Sequence, residues 1–282
     1  MTRRPSLAAL GAGALCALLA ACSPAGRPVA QTSTPAPPAT VSEEPETPPS
    51  TEPETVGPGS PTPSGATGAS PSTSLGPTPS DVPPTGSPTG PVPVISHIRT
   101  TDPVVFITID DGYEHDPAVV DLLRTRHVPV TPFLTVDAVG PHHAYFSQVQ
   151  DVTGQHVQDH TISHPDLRKL DLAGQTAEIC GAATTFHGWY GQAPWLLRPP
   201  YGSYDDTTRR AARACGMTAI VLWDVSLPHH VLRYGSGTHL RAGDIVIVHW
   251  RPNLARDLPV ILDAAAAEGL RIGALQDYLP HA

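Results

Sequence analysis

Asp110 and Asp111 stand side by side where an apolar run ends, in Phe106-Ile107-Thr108-Ile109-Asp110-Asp111-Gly112. Adjacent carboxylates repel each other, and a partly dry setting makes the repulsion worse, so a buried pair calls for a cation opposite it. His160 and His164, with three residues between them, can both reach one ion if their segment turns like a helix. Two imidazoles and one carboxylate are the donor set of a catalytic zinc, with a position left open for water or substrate. Either aspartate can serve as the third ligand; the other is then free to take a proton from water. Arg198 precedes Pro199 and Pro200, which stiffen the backbone, and then Tyr201 and Gly202, whose N–H groups can face a developing oxyanion. His249 ends the run Asp244-Ile245-Val246-Ile247-Val248 and suits a general acid.

These residues need a scaffold that brings distant stretches together. Pro103 to Ile109 is a continuous apolar, β-branched run, as expected of a strand covered on both faces. Asp116 is placed to cap a helix that has Pro117 at its first position. Val128 to Val136 reads as a second strand, Ala144 to Val152 as a helix, and Gln155 to Asp159 as a short strand before His160. A long helix is expected over Ala173 to Tyr190, then a strand over Ala193 to Arg198. Asp205 to Gly216 reads as a helix with acids at its positive end, and Met217 to Trp223 and Asp244 to Trp250 as buried strands. A last helix, capped by Asp257 and stopped by Gly269, precedes a closing strand over Leu270 to Leu275.

Strands alternating with helices indicate a parallel α/β sheet, and the count gives six or seven units, short of a full eight-unit barrel. Asp110, Asp111, His160, Arg198, Asp224 and His249 all fall at or just past the C-terminal end of an expected strand. That rim carries the active site in α/β barrels and open sheets. The D-x-D-G arrangement of phosphatases is absent here, because nothing separates the two aspartates.

Thr108-Ile109-Asp110-Asp111-Gly112, His160-Thr161-Ile162-Ser163-His164, Arg198-Pro199-Pro200-Tyr201-Gly202 and Val246-Ile247-Val248-His249 occur in that order. They resemble motifs one, two, three and five of the polysaccharide deacetylases, the NodB homology domain of carbohydrate esterase family 4. The resemblance implies a distorted (β/α) barrel with about seven parallel strands. It also implies removal of acetyl groups from an N-acetylated cell-wall glycan, of peptidoglycan or chitin type. It makes Asp110 the catalytic base, and Asp111, His160 and His164 the ligands of Zn2+ or another divalent metal such as Co2+. Arg198 would orient the base, the Tyr201 N–H would bind the oxyanion, and His249 would protonate the leaving amine. The alternatives are an O-deacetylase of acetylxylan type and a glycan-binding protein with a weakened site.

The weakened site is motivated by the fourth motif, where Ser226, His229 and His230 stand in place of Asp, Asp and Trp. Asp224 precedes Ser226 by two, and on a continuing strand would share its face. The expectation is that Asp224 replaces the lost carboxylate beside Arg198 and that Trp223 or Trp250 supplies the missing pocket wall. His142, His143 and His229 read as polar loop residues, and Trp189 and Trp195 as core.

The 282-residue chain opens with Arg3 and Arg4, an apolar stretch and Leu19-Ala20-Ala21-Cys22. Residues 1–22 have the layout of a secretory signal, and its end resembles the lipobox of bacterial lipoproteins, which implies a lipid on Cys22 and a membrane anchor rather than a span. Residues 23–94 are rich in Pro, Thr and Ser and are expected to form a disordered spacer, and 95–282 the catalytic domain. The protein is therefore expected outside the cytoplasm, on the bacterial cell membrane facing the wall, as a monomer. The net charge is −9 and no basic cluster suggests nucleic acid. Once the leader is set aside, Cys180 and Cys215 remain, and in an exported chain the two are expected to pair.

Overall fold

The computed structural model describes residues 90–279 and 281. The leader and almost all of the spacer lie outside the described residues, so neither the lipobox nor the linker is addressed by it. The strands are β1 (Val94–Ile95), β2 (Val104–Asp111), β3 (Thr131–Leu134), β4 (Gln158–Asp159), β5 (Leu196–Leu197), β6 (Ala219–Val221), β7 (Val225–Ser226), β8 (Arg233–Tyr234), β9 (Ile245–His249) and β10 (Arg271–Gly273). The helices are α1 (Pro117–Arg126), α2 (Val136–Val139), α3 (His143–Thr153), α4 (Leu172–Tyr190), α5 (Asp206–Ala214), α6 (Leu254–Ala267) and α7 (Leu275–Tyr278). The expected domain start at residue 95 falls inside β1. Val92 is already fully buried, and its carbonyl accepts a hydrogen bond from Arg209 Nε at 2.9 Å.

One curled sheet runs in the order β1-β6-β5-β4-β3-β2-β9-β7-β8, with β10 paired to the start of β2. Every pairing between these strands is parallel except that of β7 with β8. The outer strands β1 and β8 are not paired to each other, so the sheet is a half-barrel rather than a closed ring. The period of two along β2 divides its side chains between two cores. Val105, Ile107 and Ile109 pack with Val119, Leu123, Phe146, Leu258 and Ile261 from α1, α3 and α6. Val104 and Phe106 face the concave side with Phe133, Trp195, Leu197 and Ile220.

Local sequence explains most helix ends. Asp116 caps α1, its Oδ1 accepting from the Ala118 N–H, with Pro117 at the first helical position. Asp171 caps α4, and Asp205 and Thr208 form a reciprocal capping box on α5. The expected cap of the last helix is displaced. α6 starts at Leu254, and Asp257 sits within its first turn, where Oδ1 instead holds His230 Nδ1 at 2.5 Å. Cys180 on α4 and Cys215 at the end of α5 are joined in a disulfide. Among the described residues no helix is long and apolar enough to cross a membrane.

Candidate active site

β2 delivers both aspartates at its C-terminal end, where neither is more than 3% exposed. By strand alternation Asp110 shares the concave face with Phe106 and Thr108. Asp111 has φ 75°, in the left-handed region, and this breaks the alternation. Its carboxylate therefore reaches the same side: Oδ1 lies 3.6 Å from His160 Nε2 and 3.4 Å from His164 Nε2.

The two histidines meet the aspartate, but not on a helical turn as their spacing suggested. Residues 160–166 form an irregular loop with Thr161 at φ 72° and His164 at φ 58°. A β-branched residue at positive φ is strained and persists only where the surroundings impose it. The buried Asp159 Oδ1 accepts from the Thr161 N–H at 2.8 Å, and Thr161 Oγ1 accepts from the His164 N–H at 3.1 Å. From α4, Glu178 Oε2 accepts the N–H groups of Ile162 and Ser163 at 3.0 and 2.9 Å, while Oε1 accepts the Ser163 hydroxyl at 2.8 Å. Gly181, one turn further along α4, allows this approach; a Cβ there would lie 2.5 Å from Ile162 Cδ1. Glu178 was not legible as a site residue, since a glutamate inside a helix carries no local signal of a loop packed against it.

His160 Nδ1 donates to the Arg198 carbonyl oxygen at 2.6 Å. A carbonyl only accepts, so Nδ1 holds the proton and Nε2 presents its lone pair toward Asp111. Burial, with His164 close by, lowers the pKa of His160 to about 3, which keeps the ring neutral. Asp111 Oδ1 is buried with no hydrogen-bond donor. A donor-less carboxylate oxygen faces the ring nitrogens of two histidines, and Asp111, His160 and His164 are close enough together to hold one cation.

Arg198 is fully buried at the end of β5. Its Nη1 donates to Asp110 Oδ1 at 2.6 Å and to Thr108 Oγ1 at 2.7 Å. Nε and Nη2 are held by the carbonyls of Val221 and Leu222, each at 3.1 Å. The ring of Phe133 stacks under the guanidinium at 4.3 Å. Burial raises the Asp110 pKa, and the Arg198 charge, followed by that of His249, pulls it back. His249 pairs in register with Asp110 across β9 and β2 and is half-buried.

Asp224 does not join this group. Its Oδ2 accepts from His97 Nδ1 at 2.8 Å, and His97 also pairs with Asp244 Oδ1 at 3.3 Å. The place beside Arg198 expected for Asp224 is filled by two backbone carbonyls, which need no side chain to neutralise them. Trp250 supplies no pocket wall either. It is 1% exposed and packs edge-on against Tyr145 and Phe146. Trp223 lies under the Pro200–Gly202 turn, where a Cβ on Gly202 would meet its Cη2 at 3.1 Å. The Gly202 N–H is taken by the Pro199 carbonyl at 3.0 Å, which removes it from the oxyanion role. Tyr201 itself sits at φ 61°. His142 stacks on His115 at 4.1 Å and His143 on Trp189 at 5.3 Å, away from the paired aspartates in the contacts they make. Trp195 is core, with its Nε1 donating to the Leu279 carbonyl.

The family model described as polysaccharide deacetylase matches residues 97–220. An uncharacterised protein of Streptomyces coelicolor is 46% identical over 193 residues, covering 66% of this chain and 77% of that one. A chitin deacetylase of Pestalotiopsis sp is 34% identical over 116 residues, covering 40% of this chain and 39% of that one. This chain thus spans well under half of that curated enzyme. The structure of the chitin deacetylase from Colletotrichum lindemuthianum superposes with a TM-score of 0.58 at 20% identity, covering 68% of this chain and 92% of that chain, a likeness of fold. Fold, matched motifs and relatives agree: the chain belongs to the polysaccharide deacetylase family.

Proposed function

We propose that this protein is a metal-dependent hydrolase that removes acetyl groups from an N-acetylated cell-wall glycan. The observation that carries the reading is the convergence of Asp110, held by buried Arg198, with Asp111, His160 and His164 around one point. Asp111, His160 and His164 would hold Zn2+ or Co2+, which when bound polarises the acetyl carbonyl and makes water a better nucleophile. Asp110 is the general base. Its Oδ1 is occupied by Arg198, so Oδ2 takes the proton of the attacking water. Burial raises its pKa and the Arg198 charge opposes that rise, the direction a general base needs. The Tyr201 N–H faces the developing oxyanion, and His249 gives its proton to the leaving nitrogen. The C–N bond breaks, and acetate and a free amine result.

The leader with Cys22 supports a lipid-anchored site of action outside the cytoplasm. The Cys180–Cys215 disulfide supports an oxidising compartment. The test is acetate release from peptidoglycan, chitin oligomers and acetylated xylan by protein stripped with chelator and then reloaded with zinc or cobalt. Release that stops on stripping and returns on reloading is expected. A preference for xylan would move the reading to ester hydrolysis. Binding of glycan with no acetate released from any substrate, even after reloading, would reduce the protein to a glycan-binding module.

A further inference from the structure

His97, Asp224 and Asp244 bring together a second set of donor atoms, which the proposed chemistry does not use. His97 Nδ1 lies 2.8 Å from Asp224 Oδ2 and 3.3 Å from Asp244 Oδ1. All three ligand atoms stand within 4.8 Å of one another. Two carboxylates this close need positive charge between them, and Asp244 is 1% exposed, so water screens it poorly. Arg241 offers part of that charge, with Nη2 3.3 Å from Asp244 Oδ1, but its side chain is 42% exposed. In the ion-free protein, a proton on His97 Nδ1 shared between the carboxylates supplies the rest.

The backbone fixes each donor. His97 forms an isolated antiparallel bridge with Asp244, and the Ile98 N–H donates to the Gly243 carbonyl at 2.9 Å. The imidazole edge rests on Gly243, at φ 91°, where a Cβ would lie 2.7 Å from His97 Nε2 and 2.0 Å from the Ile98 oxygen. That packing turns the other ring nitrogen, Nδ1, toward both carboxylates. The Asp224 N–H donates to the Ile245 carbonyl at 3.0 Å, and its carbonyl accepts from the Gly235 N–H at 2.7 Å. Asp244 Oδ2 accepts the Arg241 N–H at 2.8 Å, which leaves Oδ1 facing His97.

The cluster sits on the seam of the half-barrel. His97 follows the edge strand β1, Asp224 lies where the chain passes from β6 to β7, and Asp244 immediately precedes β9. β1 and β6 are at one end of the sheet order, and β9 and β7 are toward the other. Asp244 and His249 are separated by five residues of strand, about 16 Å, so the cluster is remote from the catalytic groups.

We infer that His97, Asp224 and Asp244 bind a second, structural cation of the zinc class, which ties the two ends of the half-barrel together. Ligand atoms held by one zinc stand roughly 3.3 Å apart. The distance from Nδ1 to Asp244 Oδ1 already has that value, and the one to Asp224 Oδ2 has to open by roughly 0.5 Å. The ion takes the place of the shared proton and neutralises both carboxylates. An imidazole donor favours zinc over calcium or magnesium. His97 and Asp224 are partly exposed, so water reaches the site and completes the coordination. The inference is independent of the deacetylase reading.

The test titrates the chelator-stripped full chain with zinc against a chromophoric chelator and counts bound metal by elemental analysis after gel filtration. The wild type is expected to hold two equivalents per chain. Asp111→Asn should hold one, His97→Gln and Asp224→Asn one each, and the Asp111→Asn/His97→Gln double variant none. Zinc should raise the urea midpoint of Asp111→Asn and leave that of the double variant unmoved, since an ion that binds only the folded chain stabilises it. A wild type that holds a single equivalent would overturn the inference. So would a second equivalent that survives in both His97→Gln and Asp224→Asn, which is then an adventitious ion only, or a zinc-induced midpoint shift equal in the single and double variants. The wild-type count needs no substitution, so it decides the matter even where a variant fails to fold.

Discussion

Asp110 and Asp111 are neighbours on one strand, yet both carboxylates face the same imidazole nitrogen. His160 Nε2 lies 3.7 Å from Asp110 Oδ2 and 3.6 Å from Asp111 Oδ1. A regular strand would send the two side chains to opposite faces. The left-handed backbone at Asp111 returns the second one to the concave side. Arg198 then separates their tasks, pairing with Asp110 and leaving the buried Oδ1 of Asp111 without a donor.

Arg198 holds four acceptors in a fixed fork: Thr108, Asp110 and the carbonyls of Val221 and Leu222. A lysine presents a point charge and cannot match that fork. Arg198→Lys is expected to lower kcat/KM for acetate release about 100-fold, or about 2.7 kcal/mol. Metal content, measured by elemental analysis of the loaded protein, should stay at the wild-type value. Activity close to wild type would mean that Asp110 is oriented without the fork.

Glu178 ties down the loop that carries both histidines through three hydrogen bonds. Glu178→Gln keeps the size but replaces a two-oxygen acceptor with one oxygen and an NH2 group, which cannot accept both sets. Zinc affinity should fall about tenfold, as for other residues that orient ligands from behind. Competition against a chromophoric chelator measures it, with circular dichroism to verify the fold. An unchanged affinity would show that the strained loop holds itself.

His97 lies between Asp224 and Asp244, whose hydrogen bonds, Asp224's first, raise its pKa from 6.5 to about 9. A raised histidine stabilises the fold fully below its unfolded pKa, and that contribution is lost as pH rises through the folded value. Urea midpoints should therefore decline between about pH 6.5 and 9 in the wild type, and less steeply in His97→Gln, which starts lower. Asp224→Asn should weaken the same pH dependence while kcat changes by less than about twofold, because Asp224 does not touch Arg198. A tenfold drop in kcat would return Asp224 to the active site.

The Cys180–Cys215 disulfide closes a loop of sequence separation 35 between α4 and α5. Replacing both cysteines with serine should cost about 3–4 kcal/mol by the loop-entropy relation. Denaturant unfolding reads this, and α4 also carries Glu178, so zinc affinity should weaken in the same variant. A stability loss without any change in zinc affinity would separate the two.

Read as residues in order, the chain already specified the alternation of strands and helices, the capping of α1 by Asp116, and, Asp224 excepted, the residues that meet on the rim. These are local or periodic properties: a β-branched run, a capping carboxylate, a motif on contiguous residues. Folding decided what each side chain faces. His160 and His164 came together on a left-handed loop rather than a helical turn, because Asp159 and Glu178 hold that loop from outside it. Asp224 was drawn to His97, and Arg198 found carbonyls instead, because the chain just after β1 and the end of β6 bring partners that no spacing encodes. A hydrogen bond between distant residues depends on how the sheet curls and on which backbone groups its short strands leave unpaired, and both are settled only when the whole sheet has formed.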